Sequence, residues 1–247
     1  MFNKILASIG IGAAKVDTVL HTEHLVPGQT FSAEIFIKGG NTEQEISGLD
    51  LALMTKIKVE GDDSHYYTNH IIERWHIADK FIIGADQEKV IPFQAVLHPE
   101  TPITQIATSN NQSVVWLATG LNIDMALDAS DKDHIYVYPN EVVETCVQAM
   151  NQMGYRMIKA DVEKGQIRTN EFATTIGCYQ ELEYRPASSS FFGVKEIELS
   201  FKPEAGRTHI LIEIDRAFRG DGYRSFSVNH DPQSIANLPQ YLQQMLS

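Results

Sequence analysis

The chain has 247 residues and a formal net charge of −12. That length allows one large or two modest domains, and an apolar share of 43% is enough for real cores. The acidic excess runs through both halves, with 16 acidic and 8 basic residues up to residue 128 and 16 and 12 after it, which disfavours binding to nucleic acid or an anionic membrane.

No apolar run approaches the roughly 20 residues that span a bilayer, so no integral membrane segment is expected. The opening MFNKILASIGIGAAK has a single basic residue ahead of a short, glycine-broken apolar segment. It reads as an amphipathic helix with Ile5, Leu6 and Ile9 on its apolar side, not as a signal peptide, and implies a cytoplasmic protein. Cys146 and Cys178 do not make a disulfide framework and read as buried free thiols.

Lys15 to Leu25 is a first strand, closed by the Pro27-Gly28 turn. Phe31, Ala33, Ile35 and Ile37 then alternate with Ser32, Glu34 and Lys38, the period of a half-buried strand. Gly39-Gly40-Asn41 interrupts it, and a second alternation follows through Leu49, Leu51, Leu53, Ile57 and Val59. These two are read as an antiparallel pair that founds a β-sandwich. Tyr66 to Ile77 alternates again, with Tyr67, Ile71, Trp75 and Ile77 on one face and Tyr66, Thr68, His70, Arg74 and His76 on the other. Phe93, Ala95 and Leu97 mark a further strand, and Ser113 to Ile123 closes a first domain over residues 1–128.

Asp124 to Asp133 is acidic and shows no strand alternation, so the domain boundary is placed there. The second domain, 129–247, opens with a short strand at Ile135 to Tyr138. Pro139 then introduces a helix over about 140–153, with acidic residues early and Gly154 past its end. Its buried stripe is Val143, Val147 and Met150, helped by Cys146 and Met153. Strands follow at Tyr155 to Val162, Cys178 to Tyr184, Lys195 to Lys202 and Thr208 to Asp215, then Phe226 to Val228. Asp231-Pro232 caps a short C-terminal helix.

The blocks IGIGAAKVDTVL, VPGQTFSAEIFIKGG, ISGLDLALMTKI, IPFQAVLHPETPIT and VWLATGLNIDMALDASDKDHIYVYP, in that order, resemble the sporulation-control protein family, SpoOM. The match is looser after Tyr155. The resemblance implies a mainly β, arrestin-like fold: two tandem β-sandwich domains joined by a short linker, the second carrying the helix, with short terminal helices. It also implies a soluble cytoplasmic regulator or scaffold that binds proteins, with no catalytic residues to carry over.

The residues themselves supply no reaction centre, cofactor motif or metal-ligand spacing. His21 and His24 are three apart, which puts them on opposite faces of a strand, and a calcium loop counted from Asp128 fails at Lys132 and Asp133. No catalytic residue, cofactor or metal is therefore assigned. The expected working surface is a polar contact between domains, pairing Asp124, Asp128, Asp131 and Asp133 with Arg216, Arg219 and Arg224, since arginine forks grip carboxylates bidentately. Protein partners and a possible homo-oligomer are expected. The rival is a small-molecule or metal-binding protein with an interdomain pocket around Arg74, Trp75 and His76.

Overall fold

The computed structural model describes residues 12–61, 64–123, 129–187, 193–217 and 222–246. The expected N-terminal helix, and Asp124, Asp128 and Arg219, lie outside the described residues. The chain is mainly β. Strands β1 (Lys15–Leu20), β2 (Thr30–Lys38) and β6 (Glu88–Val96) form a three-stranded antiparallel sheet with β2 in the middle. Strands β3 (Gln44–Glu60), β4 (His65–Ala78), β5 (Phe81–Ile83), β7 (Val115–Ile123) and β8 (Ala129–Ile135) belong to a second sheet. That sheet continues through β9 (Tyr155–Lys164), β10 (Cys178–Pro186), β11 (Val194–Glu204), β12 (Arg207–Arg216) and β13 (Gly222–Asn229).

The two alternating strands around Gly39-Gly40 bury the residues expected of them, Val59 only in part, but they do not pair with each other. β2 pairs β1 and β6, whereas β3 pairs β4, β5, β7 and β9. The glycine pair carries the chain from one sheet to the other. A side chain at Gly39 would collide with the Gly84 carbonyl at 2.0 Å, and one at Gly40 with the Gly12 carbonyl at 2.0 Å. Ile35 and Ile37 meet Ile46, Leu49 and Leu121 in one core between the sheets, and Phe31 meets Leu51, Leu53 and Leu117 in the next. Alternation specifies which face a residue takes and leaves the neighbouring strand open.

Two further expectations are corrected. Where β4 pairs Leu53 and Met54 of β3, the register slips, so Ile72 is buried and Ile71 is 42% exposed. Residues 129–133, read as part of an acidic stretch without strand alternation, lie in β8, which pairs along β7 from Val115↔Ile135 to Leu121↔Ala129. Their polar side chains hid the strand, because at this sheet edge the backbone ladder holds them without an apolar stripe.

In the second half, helices α1 (Glu141–Gln152) and α2 (Pro232–Leu246) cover one face of β9–β13. Asn140 caps α1 by accepting from the Val143 amide at 3.0 Å, and Gly154 ends it at φ +84°. Asp231 caps α2 through the Gln233 and Ser234 amides. Val142, Cys146 and Met150 of α1 and Leu238 and Leu242 of α2 pack on Leu182, Tyr184, Leu199, Ile210, Ile212 and Phe226. The opposite face of the sheet has no such layer.

The halves join along β9. Lys58 of β3 pairs Glu163 in parallel, and Asn111 bridges Ala160 on the same edge. Gln180 of β10 adds three side-chain bonds to the 103–113 segment, to both backbone groups of Ile103 and to the Ser113 hydroxyl.

Candidate functional site

The uncovered face of β9–β13 is built from four acid–apolar–acid triplets: Asp161-Val162-Glu163, Glu181-Leu182-Glu183, Glu196-Ile197-Glu198 and Glu213-Ile214-Asp215. In a strand the middle residue points to the core and the flanking acids point away, and all four middle residues are buried. Because these strands are neighbours, the acids stack in rows. Asp161 lies opposite Glu181, Glu183 opposite Glu198, and Glu198 opposite Glu213. Like charges in direct register destabilise a sheet.

Cations offset part of the row. Lys159 lies 2.6 Å from both Asp161 and Glu183, and Lys58 lies 2.9 Å from Glu163 and also contacts Glu60. Burial alone would lower both ammonium groups. The hydrogen bonds to Glu60 and Glu163, and to Asp161 and Glu183, outweigh it and hold both above the ordinary lysine value. Glu181, Glu198 and Glu213 have no ion pair among the described residues. Burial, then the charges of Glu198, Glu163 and Asp161, pushes Glu181 up to about 8. Burial, then Glu213 and Glu183, pushes Glu198 up to about 7.

A loop turns this face into a cleft. Gly165 and Gly177 close its neck through one backbone bond of 3.0 Å, both at positive φ. Inside it, Ile167 and Thr174 bond in both directions. Phe172 reaches across the sheet and stacks on His209 with ring centroids 4.9 Å apart, while the Thr175 amide and hydroxyl bind Glu100 of the first half at 2.8 Å. Between the loop and the sheet lies a cavity of about 550 Å³ with Glu181, Glu198, Glu213 and Tyr223 on its walls, and Arg168 and Arg224 beside them. Tyr223 donates to Glu213 at 2.6 Å.

Of the expected interdomain contact, Asp131, Asp133, Arg216 and Arg224 are among the described residues. Asp131 and Asp133 stand on β8 beside Asp17 of β1, and Asp131 accepts the Thr18 amide at 3.0 Å. Burial, then Asp131 and Asp17, pushes Asp133 up to about 8. Arg216 and Arg224 flank Gly222 at the opposite end of the same sheet, and no ion pair among the described residues joins them to these aspartates. The rival pocket fails on geometry. Trp75 turns inward onto Phe31 and Phe93, whereas His76 turns outward between Asp50 and Asp79.

Among the described residues, two carboxylate groups are close enough to share a cation: Asp17, Asp131 and Asp133, and Asp161, Glu163 and Glu181. Cys146 and Cys178 are sealed in the interior, and burial pushes each thiol up to about 12.

The model of the SpoOM protein family matches residues 2–218. The chain belongs to the SpoOM family. The sporulation-control protein spo0M of Bacillus subtilis (strain 168) is 32% identical over 220 residues, covering 89% of this chain and 82% of that protein. A crystal structure of Spo0M, sporulation control protein, from Bacillus subtilis superposes with a TM-score of 0.83 at 27% identity, covering 96% of this chain and 98% of that one. The expected mainly β, arrestin-like fold is thus the one found in this SpoOM-family chain. Among the described residues no helix is long and apolar enough to cross a membrane. The acidic row went unnoticed in the sequence, although its signal, the repeated triplet, is there to be counted.

Proposed function

We propose that this SpoOM-family protein is a cytoplasmic regulator that works by reversible binding to another protein, with no chemical step of its own. The names of its relatives support a role in control. The observation that carries the binding mode is the row Glu181, Glu198 and Glu213, set across three adjacent strands in an open cleft; Arg168 and Arg224 also line it, but no ion pair among the described residues joins them to the three carboxylates. Crowding these carboxylates costs stability in the free protein. A partner segment bearing lysine or arginine would relieve that repulsion and gain charge-assisted hydrogen bonds.

The test compares the wild type with the Glu198→Gln/Glu213→Gln double variant. Each is used to capture proteins from the native host, followed by crosslinking to locate the contact. The reading expects captured proteins to crosslink on β10–β12, to release with salt, and to be reduced about tenfold by the variant. Equal capture by both proteins, or crosslinks confined to the first half, would sink it.

A further inference from the structure

We infer that Asp161, Glu163 and Glu181 form a binding site for a hard divalent cation of the calcium or magnesium kind. Asp161 and Glu163 are two apart on β9 and share its outer face, and β10 sets Glu181 directly opposite Asp161. One oxygen from each of the three lies within 4.8 Å of the others. Surface acids often cluster without consequence, but these are not surface acids. Asp161 is 1% exposed and Glu163 8%. Asp161 Oδ2 is taken by Lys159 at 2.6 Å. Oδ1 is sealed from solvent with no donor at all. Leaving a charged oxygen buried and unsatisfied is costly, and a bound cation removes the cost.

The charge balance leads to the same place. Lys58 and Lys159 serve four acids, Glu60, Glu163, Asp161 and Glu183. Glu181 is the acid with no cation of its own, and it stands between the two lysine-bridged pairs. The three-residue set is all carboxylate, and oxygen-only ligands suit hard cations such as Ca²⁺ and Mg²⁺ over zinc or copper. A cavity of about 480 Å³ lined by Lys58, Glu163, Glu181 and Glu183 opens onto the site, so water can complete the coordination shell. Glu163 is also the register partner of Lys58 where β3 meets β9. A cation held here would brace the junction between the two halves.

Titration calorimetry of the EDTA-treated full chain with CaCl₂ and with MgCl₂ tests this, alongside thermal unfolding. One saturable site and a rise in Tm with cation concentration are expected. Glu181→Gln should weaken binding at least about tenfold while raising the Tm of the cation-free protein at pH 9, where it removes a repelling charge. No heat and no Tm shift up to about 10 mM of either cation, far above the weakest calcium modules, would overturn the site. So would binding that is unchanged in Glu181→Gln, which would move it to other carboxylates such as Asp17, Asp131 and Asp133. Asp161→Asn should abolish binding; should it fail to fold, Glu181→Gln decides alone, since its side chain supports no ion pair among the described residues. Glu213→Gln should leave cation binding intact. Loss of the cation site and loss of partner binding are therefore separable outcomes.

Discussion

The two halves of the molecule use one sheet in opposite ways. In the first half, β3 and β7 press their apolar side chains onto β1, β2 and β6, so the core is enclosed between strands. In the second, β9–β13 lean on α1 and α2 with one face and leave the other to solvent, a loop and carboxylates. The difference locates function. A face enclosed by another sheet is fixed by packing, whereas a face with no apolar layer over it can carry charge at a tolerable cost.

The comparison breaks first if the second half is not a true core. Ile212 is fully buried under both helices, so Ile212→Ala should cost about 4 kcal/mol in urea denaturation. Leu51→Ala in the first half should cost about the same. Two separate transitions, each sensitive to only one of these variants, would mean that the halves fold as independent units.

Next in size is the junction. Side-chain exposures of 14% for Lys58 and 11% for Glu163 make this a largely buried pair. Lys58→Met strands the Glu163 carboxylate and should cost about 3 kcal/mol. A loss below about 1 kcal/mol would show that the seam between β3 and β9 is wetter than its burial indicates.

How much of this was legible beforehand depended on the range of the interaction. The apolar alternations of β2, β11 and β12 are local, and each faces the way its sequence pattern indicates. Partners are not local. Nothing in residues 31–59 says that Gly39-Gly40 crosses between sheets, because the reason is the approach of the Gly84 and Gly12 carbonyls from elsewhere in the chain. The same limit hid the acidic row. Each triplet could be seen, but Glu198 meets Glu183 and Glu213 only once the strand order is known. Residues 129–133 showed no strand pattern because β8 is held by its backbone ladder rather than by an apolar stripe.

The acidic face itself gives a pH signature. Glu181 has an ordinary value of 4.5 when unfolded and is pushed up to about 8 in the fold, so the folded state keeps a proton that the unfolded chain releases. The stability this provides is present below about pH 4.5 and is lost as pH rises through about 8. Wild-type stability should therefore fall between pH 5 and 9. Glu181→Gln should be more stable than wild type by about 1 kcal/mol at pH 9 and nearly equal to it at pH 4. If the two proteins follow parallel curves in urea denaturation, Glu181 is not desolvated and the centre of the face behaves like open surface.

The smallest effect is expected at the rim of the same face. Glu196 and Asp215 face each other across β11 and β12, two residues along from Glu198 and Glu213. The chemistry is the same, but Arg185 lies 2.8 Å from Glu196 and is 61% exposed, and Lys195 lies 3.5 Å from Asp215. Water and nearby cations screen this pair, so Arg185→Ala should cost less than about 1 kcal/mol and should leave partner capture unchanged. A larger loss would mean that the rim is as desolvated as the centre. Position within the row would then no longer distinguish the carboxylates, and the grounds for placing recognition at Glu181, Glu198 and Glu213 rather than at Glu196 and Asp215 would be gone.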